Sequence, residues 1–317
     1  MASDKSAHPS AHPPSGPSPA GAHPVREVTV EDTDAILDLM TLVDLAELGE
    51  PDHTATDVRP AVGDDFRGWV IEETDGIVGY GWAQRRPDHA SVEADVTVRP
   101  GRHELYLPLL DLVCAAAHDL DAKLPLQIAA ASQMGAKRRV LEAAGGRIVR
   151  RFLRMAIELP DDPAPRVPEP PIGVEIRSLT DAEADLRAMH SVVDPAFGEH
   201  FGYAGSPYEE WRERIATQGL TERSLWWLAC VDGVPAAGLI GAMAPSGGYV
   251  DTLGTLLEHR GSGLGRALLL TSFAEFHARG MRKVMLGVDA DNHTGAVELY
   301  QSLGMSAVLE GLLYELP

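Results

Sequence analysis

The chain has 317 residues, with 47 acidic against 27 basic side chains, a formal net charge of −20, 44% hydrophobic and 23% charged residues. That length suits two domains of about 150 residues each, and the composition excludes a mainly disordered chain. Such acidity repels phosphate backbones and anionic lipid, so neither nucleic acid nor a membrane surface is an expected partner; cationic substrates would be drawn in, although the charge reads first as a solvated surface.

Only four basic residues are lysine: Lys5, Lys123, Lys137 and Lys283. With abundant Ala, Gly, Asp and Pro, this arginine bias points to a GC-rich coding sequence and a bacterial source. The two cysteines, Cys114 and Cys230, sit in the apolar contexts DLVCAAA and WLACV, which predicts small buried hydrophobes and neither a disulfide framework nor a cysteine metal site. No apolar run approaches 18 residues and no apolar signal core opens the chain, so a cytoplasmic protein is expected.

In chain order, residues 1–24 hold six prolines and almost nothing large and apolar. Too little surface can be buried there to offset ordering entropy, which predicts a disordered leader. Residues 25–160 then open on REVTVEDTDAILDLM, a short alternating strand, a Thr–Asp helix start and a helical pattern. WVIEETDGIVGYGWA reads as two strands joined by an Asp-Gly turn. DDPAPRVPEPPIG, residues 161–173, carries five prolines and reads as a stiff linker. After it, VEIRSLTDAEADLRAMH repeats the first pattern and WWLACVDGVPAAGLIGA the second. Two copies of one α/β fold in tandem, over 25–160 and 174–317, are the simplest account.

The segment DPAFGEHFGYAGSPYEEW, residues 194–211, combines Phe197, Phe201, Tyr203, Tyr208 and Trp211 with Glu199 and His200. Aromatics with a carboxylate suit an amphipathic amine, although most such rings would equally fill core beneath a loop. Residues 249–257 read as a strand. Arg260-Gly261-Ser262-Gly263-Leu264-Gly265 is a turn that feeds a helix carrying Leu269, Phe273 and Phe276 on one face. A glycine turn at a helix N-terminus presents unpaired N–H groups to an anion, and Arg260 adds a charged contact. No Lys-Ser/Thr follows, so the loop is not a Walker A motif, and Arg266 breaks the G-x-G-x-x-G spacing. Taken alone it would be a plain strand–helix turn. It is followed, however, by KVMLGVDADNHTGAVELYQSLGM, residues 283–305, a strand and a second helix ending near Gly304.

This combination, R-x-x-G-x-G, a strand, then N-x-x-x-A-x-x-L-Y-x-x-x-G-M, resembles the GNAT acyltransferase superfamily over residues 174–317. Arg260, Gly263 and Gly265 fall on its pyrophosphate loop, with Gly261, Ser262, Leu264 and Arg266 in the same turn. Asn292, Ala296, Leu299, Tyr300 and Gly304 fall on its second motif, with one residue more than usual between Asn292 and Tyr300. The resemblance implies an α/β mixed sheet whose two central strands splay to admit the pantetheine arm of acetyl-CoA. Gly254 and Gly287 interrupt those strands, as a bulge or close approach would require. By position Leu253 and Thr255 would offer backbone groups to the cofactor, and no metal is implied.

The same resemblance assigns Tyr300 as the acid that protonates the departing thiolate, a phenol suited to that task. The alternative is a core tyrosine. For the base, Asp251, Asp289 and Glu258 are all candidates, with Asp251 taken first, and each would otherwise be an ordinary exposed carboxylate. Glu199 and His200 are the candidate acceptor contacts.

The first copy reads VEADVTVRPGRHELYLPLLDLV, residues 92–113. It lacks the later glycines, brings Glu104 to the loop and Pro108 to the helix, and puts Leu141 where Tyr300 stands. It is therefore expected to be a degenerate copy. Arg138, Arg139, Arg147, Arg150, Arg151 and Arg154 form a basic cluster in it, by default a solvated face and otherwise a grip on the acidic second copy or on an anion. The layout resembles that of tandem GNAT enzymes with one active half, the mycothiol synthases among them. It implies an acetyl-CoA-dependent N-acetyltransferase acting on a small primary amine in a ternary complex. A non-catalytic acyl-CoA sensor or scaffold is the competing function, and a homodimer of such chains stays open.

Overall fold

The computed structural model describes residues 24–51, 53, 58, 63–86, 89–167, 169–170, 172–203, 205–218, 220–244, 246–291 and 294–317. The expected leader lies outside them except for Pro24. The first half runs β1 (Val25–Glu27), α1 (Thr33–Glu47), β2 (Phe66–Glu73), β3 (Gly76–Arg85), β4 (Val92–Val98), α2 (Tyr106–Asp121), β5 (Leu126–Ala131), α3 (Gly135–Ala143) and β6 (Arg147–Glu158). The second runs β7 (Val174–Ser178), α4 (Glu183–Phe197), α5 (Tyr208–Thr217), β8 (Trp226–Val231), β9 (Val234–Ala244), β10 (Gly247–Thr255), α6 (Leu264–Ala278), β11 (Lys283–Asp289), α7 (Ala296–Ser302) and β12 (Ser306–Leu316).

The sequence repeat becomes a structural one. Both Asp-Gly turns close hairpins, β2–β3 at Gly76 and β8–β9 at Asp232-Gly233, where φ is 48° and 82° as a type I′ turn requires. Both helix starts are built alike. Arg26 on β1 pairs with Asp32 at 2.7 Å, and Thr29 donates its backbone N–H to the same carboxylate. In the second half Arg177 pairs with Asp185 at 2.7 Å and Thr180 donates its N–H to it. The arginine hydrogen bond holds each carboxyl down at about 2.

The described strands form one twelve-stranded sheet in the order β1-β2-β3-β4-β5-β12-β6-β11-β10-β9-β8-β7. At its centre the last strands of the two halves are exchanged. β12 lies antiparallel between β5 and β6, and β6 lies antiparallel between β12 and β11. Each core is completed by the other half: Met155 of β6 packs in the second core, and Leu312, Tyr314 and Leu316 of β12 pack in the first. The arginine cluster lies at this junction. Arg150 meets Asp289 at 3.0 Å, Arg151 meets Glu310 at 2.9 Å and Arg147 meets Glu315 at 3.6 Å. β6 lies in the middle of the sheet and β7 at its far edge, and Asp161, just after β6, is anchored to Arg282 at 3.0 Å. Cys230 is buried and Cys114 half-buried, and both are free thiols whose pKa burial raises. No helix among the described residues is long and apolar enough to cross a membrane.

Candidate functional site

The parallel pairing of β10 with β11 covers Gly248–Val284, Tyr249–Met285 and Val250–Leu286, and then stops. Beyond that point β10 stays held by β9 through Thr255, and β11 stays held by β6 through Asp289. The gap therefore opens between two strands that are each fixed on the outer side. A register shift between Val250 and Thr252 makes Asp251 the extra residue at the mouth of the gap. The two glycines act differently from a bulge. A Cβ on Gly254 would lie 2.9 Å from the Ala196 side chain, so this glycine admits α4 to the sheet. A Cβ on Gly287 would meet the Tyr249 hydroxyl at 3.4 Å.

Under the gap lies a cavity of about 370 Å³ whose lining includes Tyr300, Asp251, Asp289, Phe197, His200 and Phe201. Phe152, from β6 of the first half, also lines it. The strand exchange brings it there, and its only mark in the sequence is an aromatic among the arginines of RIVRRFLRM. Tyr300 is 7% exposed on α7, and burial pushes its hydroxyl up to about 12. Asp251 opens onto the cavity's solvent but has protein around it. That desolvation raises its carboxyl above the ordinary range, against the opposing Thr252 hydroxyl, which donates to it at 2.8 Å, and the charge of Arg214.

The remaining candidates are engaged elsewhere. Asp289 is held by the Arg150 guanidinium and accepts the Asp291 backbone N–H at 2.9 Å. Glu258 is exposed in a single turn at Leu257–His259, away from the cavity lining. His200 stacks on Phe197 with ring centroids 4.1 Å apart, and burial lowers its pKa. Glu199 does not line the cavity; its carboxylate accepts from Arg260 Nη1 at 2.7 Å.

The glycine loop runs from the end of β10 into α6. Gly261 and Gly263 have φ of 75° and 85°, and a Cβ at either would meet nothing within 4 Å, so backbone conformation and not crowding selects glycine. Gly263 caps α6, and the Ala267 N–H to Gly263 carbonyl bond of 3.0 Å is the first of the helix. The preceding N–H groups of Leu264, Gly265 and Arg266 thus have no intrahelical acceptor and sit at the positive end of the dipole. At Gly265 a Cβ would touch Leu299 at 3.4 Å, which reflects the packing of α6 on α7. Ser262 donates its hydroxyl to the His259 carbonyl, and Arg266 reaches Ser302 at 3.2 Å. Leu253 and Thr255 lie on the stretch of β10 beyond the last β11 pair, and the Thr255 carbonyl accepts from Arg260 Nε at 3.4 Å. Asn292 lies outside the described residues.

The first half keeps the splay: β4 and β5 pair only from Val92–Leu126 to Ala94–Ile128. Its cavity, about 550 Å³, is the larger of the two and contains a buried Lys137 ion-paired with Asp95. The anion cradle is filled from within, because Arg102 grips Glu73 through both Nη atoms at 2.6 and 2.7 Å and Glu104 through Nε at 2.6 Å. Leu141, at the place of Tyr300, is fully buried. Size alone would favour this cavity, but the loop and the tyrosine belong to the smaller one. Among the described residues no group of three or more His, Cys, Asp or Glu side chains is arranged to hold a metal ion.

The chain is similar to known acetyltransferases. The acetyltransferase (GNAT) family matches residues 186–305. A mycothiol acetyltransferase of Thermomonospora curvata is 31% identical over 254 residues, 78% of this chain and 82% of that protein. One from Kocuria rhizophila is 29% identical over 301 residues, 87% of this chain and 95% of that protein. Among solved structures, a GCN5-related N-acetyltransferase from Sphaerobacter thermophilus superposes with a TM-score of 0.74 at 26% identity, over 92% of this chain and 94% of that one. A tandem GNAT protein from the clavulanic acid biosynthesis pathway superposes with a TM-score of 0.68 at 20% identity, over 93% and 98%, and shares the fold.

Proposed function

The chain belongs to the GNAT acetyltransferase family and is an N-acetyltransferase, and from that premise we propose that residues 174–317 transfer the acetyl group of acetyl-CoA directly to the primary amine of a small molecule. The observation that carries the proposal is the end of the β10–β11 pairing at Val250–Leu286, between the glycine loop and the buried Tyr300.

The residues present fit acetyl-CoA. Open space over Gly261 and Gly263, free N–H groups at the start of α6 and the Arg260 guanidinium suit a diphosphate. The unpaired edge of β10 at Leu253 and Thr255 suits the amides of the pantetheine arm. Bound acetyl-CoA supplies the activated acyl group. Phe197, Phe201 and Phe152 present apolar surface to the acyl end.

Asp251 takes the proton released by the amine as its nitrogen bonds to the acyl carbon. Its raised pKa makes it a stronger base than an ordinary aspartate, and its place at the mouth of the gap puts it on the amine's path. Tyr300 gives a proton to the sulfur as the carbon–sulfur bond breaks, and with a pKa of about 12 it stays protonated at working pH. The products are an N-acetyl amine and a free thiol, and the proton held by Asp251 restores Tyr300 through solvent. Calorimetric titration of acetyl-CoA into the full chain tests the reading: one site per chain is expected, abolished in Gly263→Asp, and two sites would return the first half to use.

A further inference from the structure

On the solvent side of Asp251 lies a second, polar recess of about 190 Å³, which shares only Asp251 and Phe197 with the reaction cavity among their lining residues. Arg86, His89, Tyr203, Arg214 and Thr252 line it. Both halves build it. The segment after β3 docks on the loop that follows α4, through a bridge between His89 and Tyr203 and an Ala90 N–H to Gly202 carbonyl bond of 3.3 Å. We propose that this recess binds a carboxylate carried by the acceptor, making the acceptor an α-amino acid or an amine of that kind rather than a polyamine or aminoglycoside. This deepens the transferase reading above and rests on it.

The recess places cationic donors around one wall. Arg214, on α5, lines the recess together with Asp251. Arg86 and His89 share the Glu93 carboxylate, at 3.5 and 2.6 Å. The Tyr203 hydroxyl donates to Asp194 at 2.6 Å and also interacts with Arg214, so its own proton is already committed. A guanidinium has five donors in a planar fork and can serve a protein partner on one edge and a carboxylate on another. An α-amino acid carries its ammonium and carboxylate on one carbon. With the ammonium at Asp251 and the carboxylate turned to Arg214 and Arg86, the amine stands at the entrance of the reaction cavity.

The local charge runs against the whole. A chain of net charge −20 repels carboxylates and attracts polycations at long range. At the recess Arg214 and Arg86 supply local positive charge beside Asp251, with Glu93 as the partner of Arg86. A polycation seated in the recess would have to place a second ammonium near Arg86 or Arg214.

The test is CoA release by the full chain at saturating acetyl-CoA, with a panel of L-amino acids each paired with its own carboxamide. Free acids are expected to have kcat/KM at least about tenfold above their amides, because a polar site rejects analogues that leave its donors unpaired. Arg214→Gln should remove that preference by raising KM for the acids about tenfold or more relative to the amides, whose own change reports only the loss of the Arg214 charge beside Asp251. Arg86→Gln provides a second variant should the first not fold. Equal turnover of acids and amides, equal loss of both in the variants, or turnover of polyamines alone would overturn the proposal. Acetyl-CoA binding without turnover of any acid in the panel would do the same while leaving the transferase assignment intact. Failure to bind acetyl-CoA would instead remove the transferase reading and this proposal with it.

Discussion

Arg260 of the glycine loop and Glu199 of the segment after α4 form an ion pair of 2.7 Å. The pair joins the diphosphate cradle to the acceptor side of the site, and a bound diphosphate would compete with Glu199 for the same guanidinium. Glu199→Gln is therefore expected to tighten acetyl-CoA binding about two- to fivefold, the range of a partly exposed pair. Arg260→Gln should weaken it by more, because the cradle then loses its charged contact. Calorimetry on both variants checks the order, and weaker binding in Glu199→Gln would mean that the pair organises the loop for the ligand.

Tyr300→Phe keeps the ring in the second core and removes only the hydroxyl. Acetyl-CoA should bind it with unchanged affinity, while kcat falls about 100-fold or more because the departing CoA thiolate loses its proton donor. Since Tyr300 titrates near 12, the wild-type rate should show no alkaline loss from this group below about pH 11. Unaltered turnover in the variant would leave the tyrosine a packing residue.

Asp251 ties activity to stability with opposite signs. Burial raises its folded pKa above the unfolded value, so it favours the folded state below the unfolded pKa, and that contribution is lost as pH rises through the folded one. At neutral pH the charged carboxylate thus costs stability, and Asp251→Asn should raise Tm. The same carboxylate must be deprotonated to act as base. The acidic limb of kcat/KM should lie above the ordinary aspartate range, and Asp251→Asn should lower the rate about 100-fold or more. A variant that is more stable and equally active would pass the role to a water chain.

The two halves should not fold apart. β12 supplies Leu312, Tyr314 and Leu316 to the first core and pairs with β5 and β6. Burial of each such side chain is worth about 1.5–3 kcal/mol, against a total stability on the order of 5–15 kcal/mol. Removing residues 306–317, or expressing residues 174–317 alone without β6, should give protein with no cooperative melting transition. A sharp transition in either fragment, followed by circular dichroism, would show that the exchanged strands are dispensable.

Acid pH should act first on the two repeated helix starts. Arg26 and Arg177 hold Asp32 and Asp185 at about 2, so their stabilisation is complete above the unfolded pKa and is lost as pH falls toward 2. Arg177→Gln should shift the acid unfolding midpoint to higher pH, read by tryptophan fluorescence of the Trp226–Trp227 strand.

What the sequence by itself determined was whatever short-range chemistry fixes. The Asp-Gly turns require positive φ, and the loop from Arg260 to Gly265 needs a left-handed backbone at Gly261 and Gly263. Each of these depends on residues a few positions apart, so the two-copy organisation and the family were legible from them. The tertiary structure decided everything that depends on which strand lies beside which. It made Asp251 the bulged residue, turned Glu199 to Arg260 and brought Phe152 to the cavity of the other half. It also set Arg86 and Arg214, 128 positions apart in the chain numbering of the sequence, around one recess. The reason is the exchange of β6 and β12: hydrophobic alternation specifies a strand and its buried face, but two strands of similar pattern can serve either half, and only the packing of both cores together selects the neighbour.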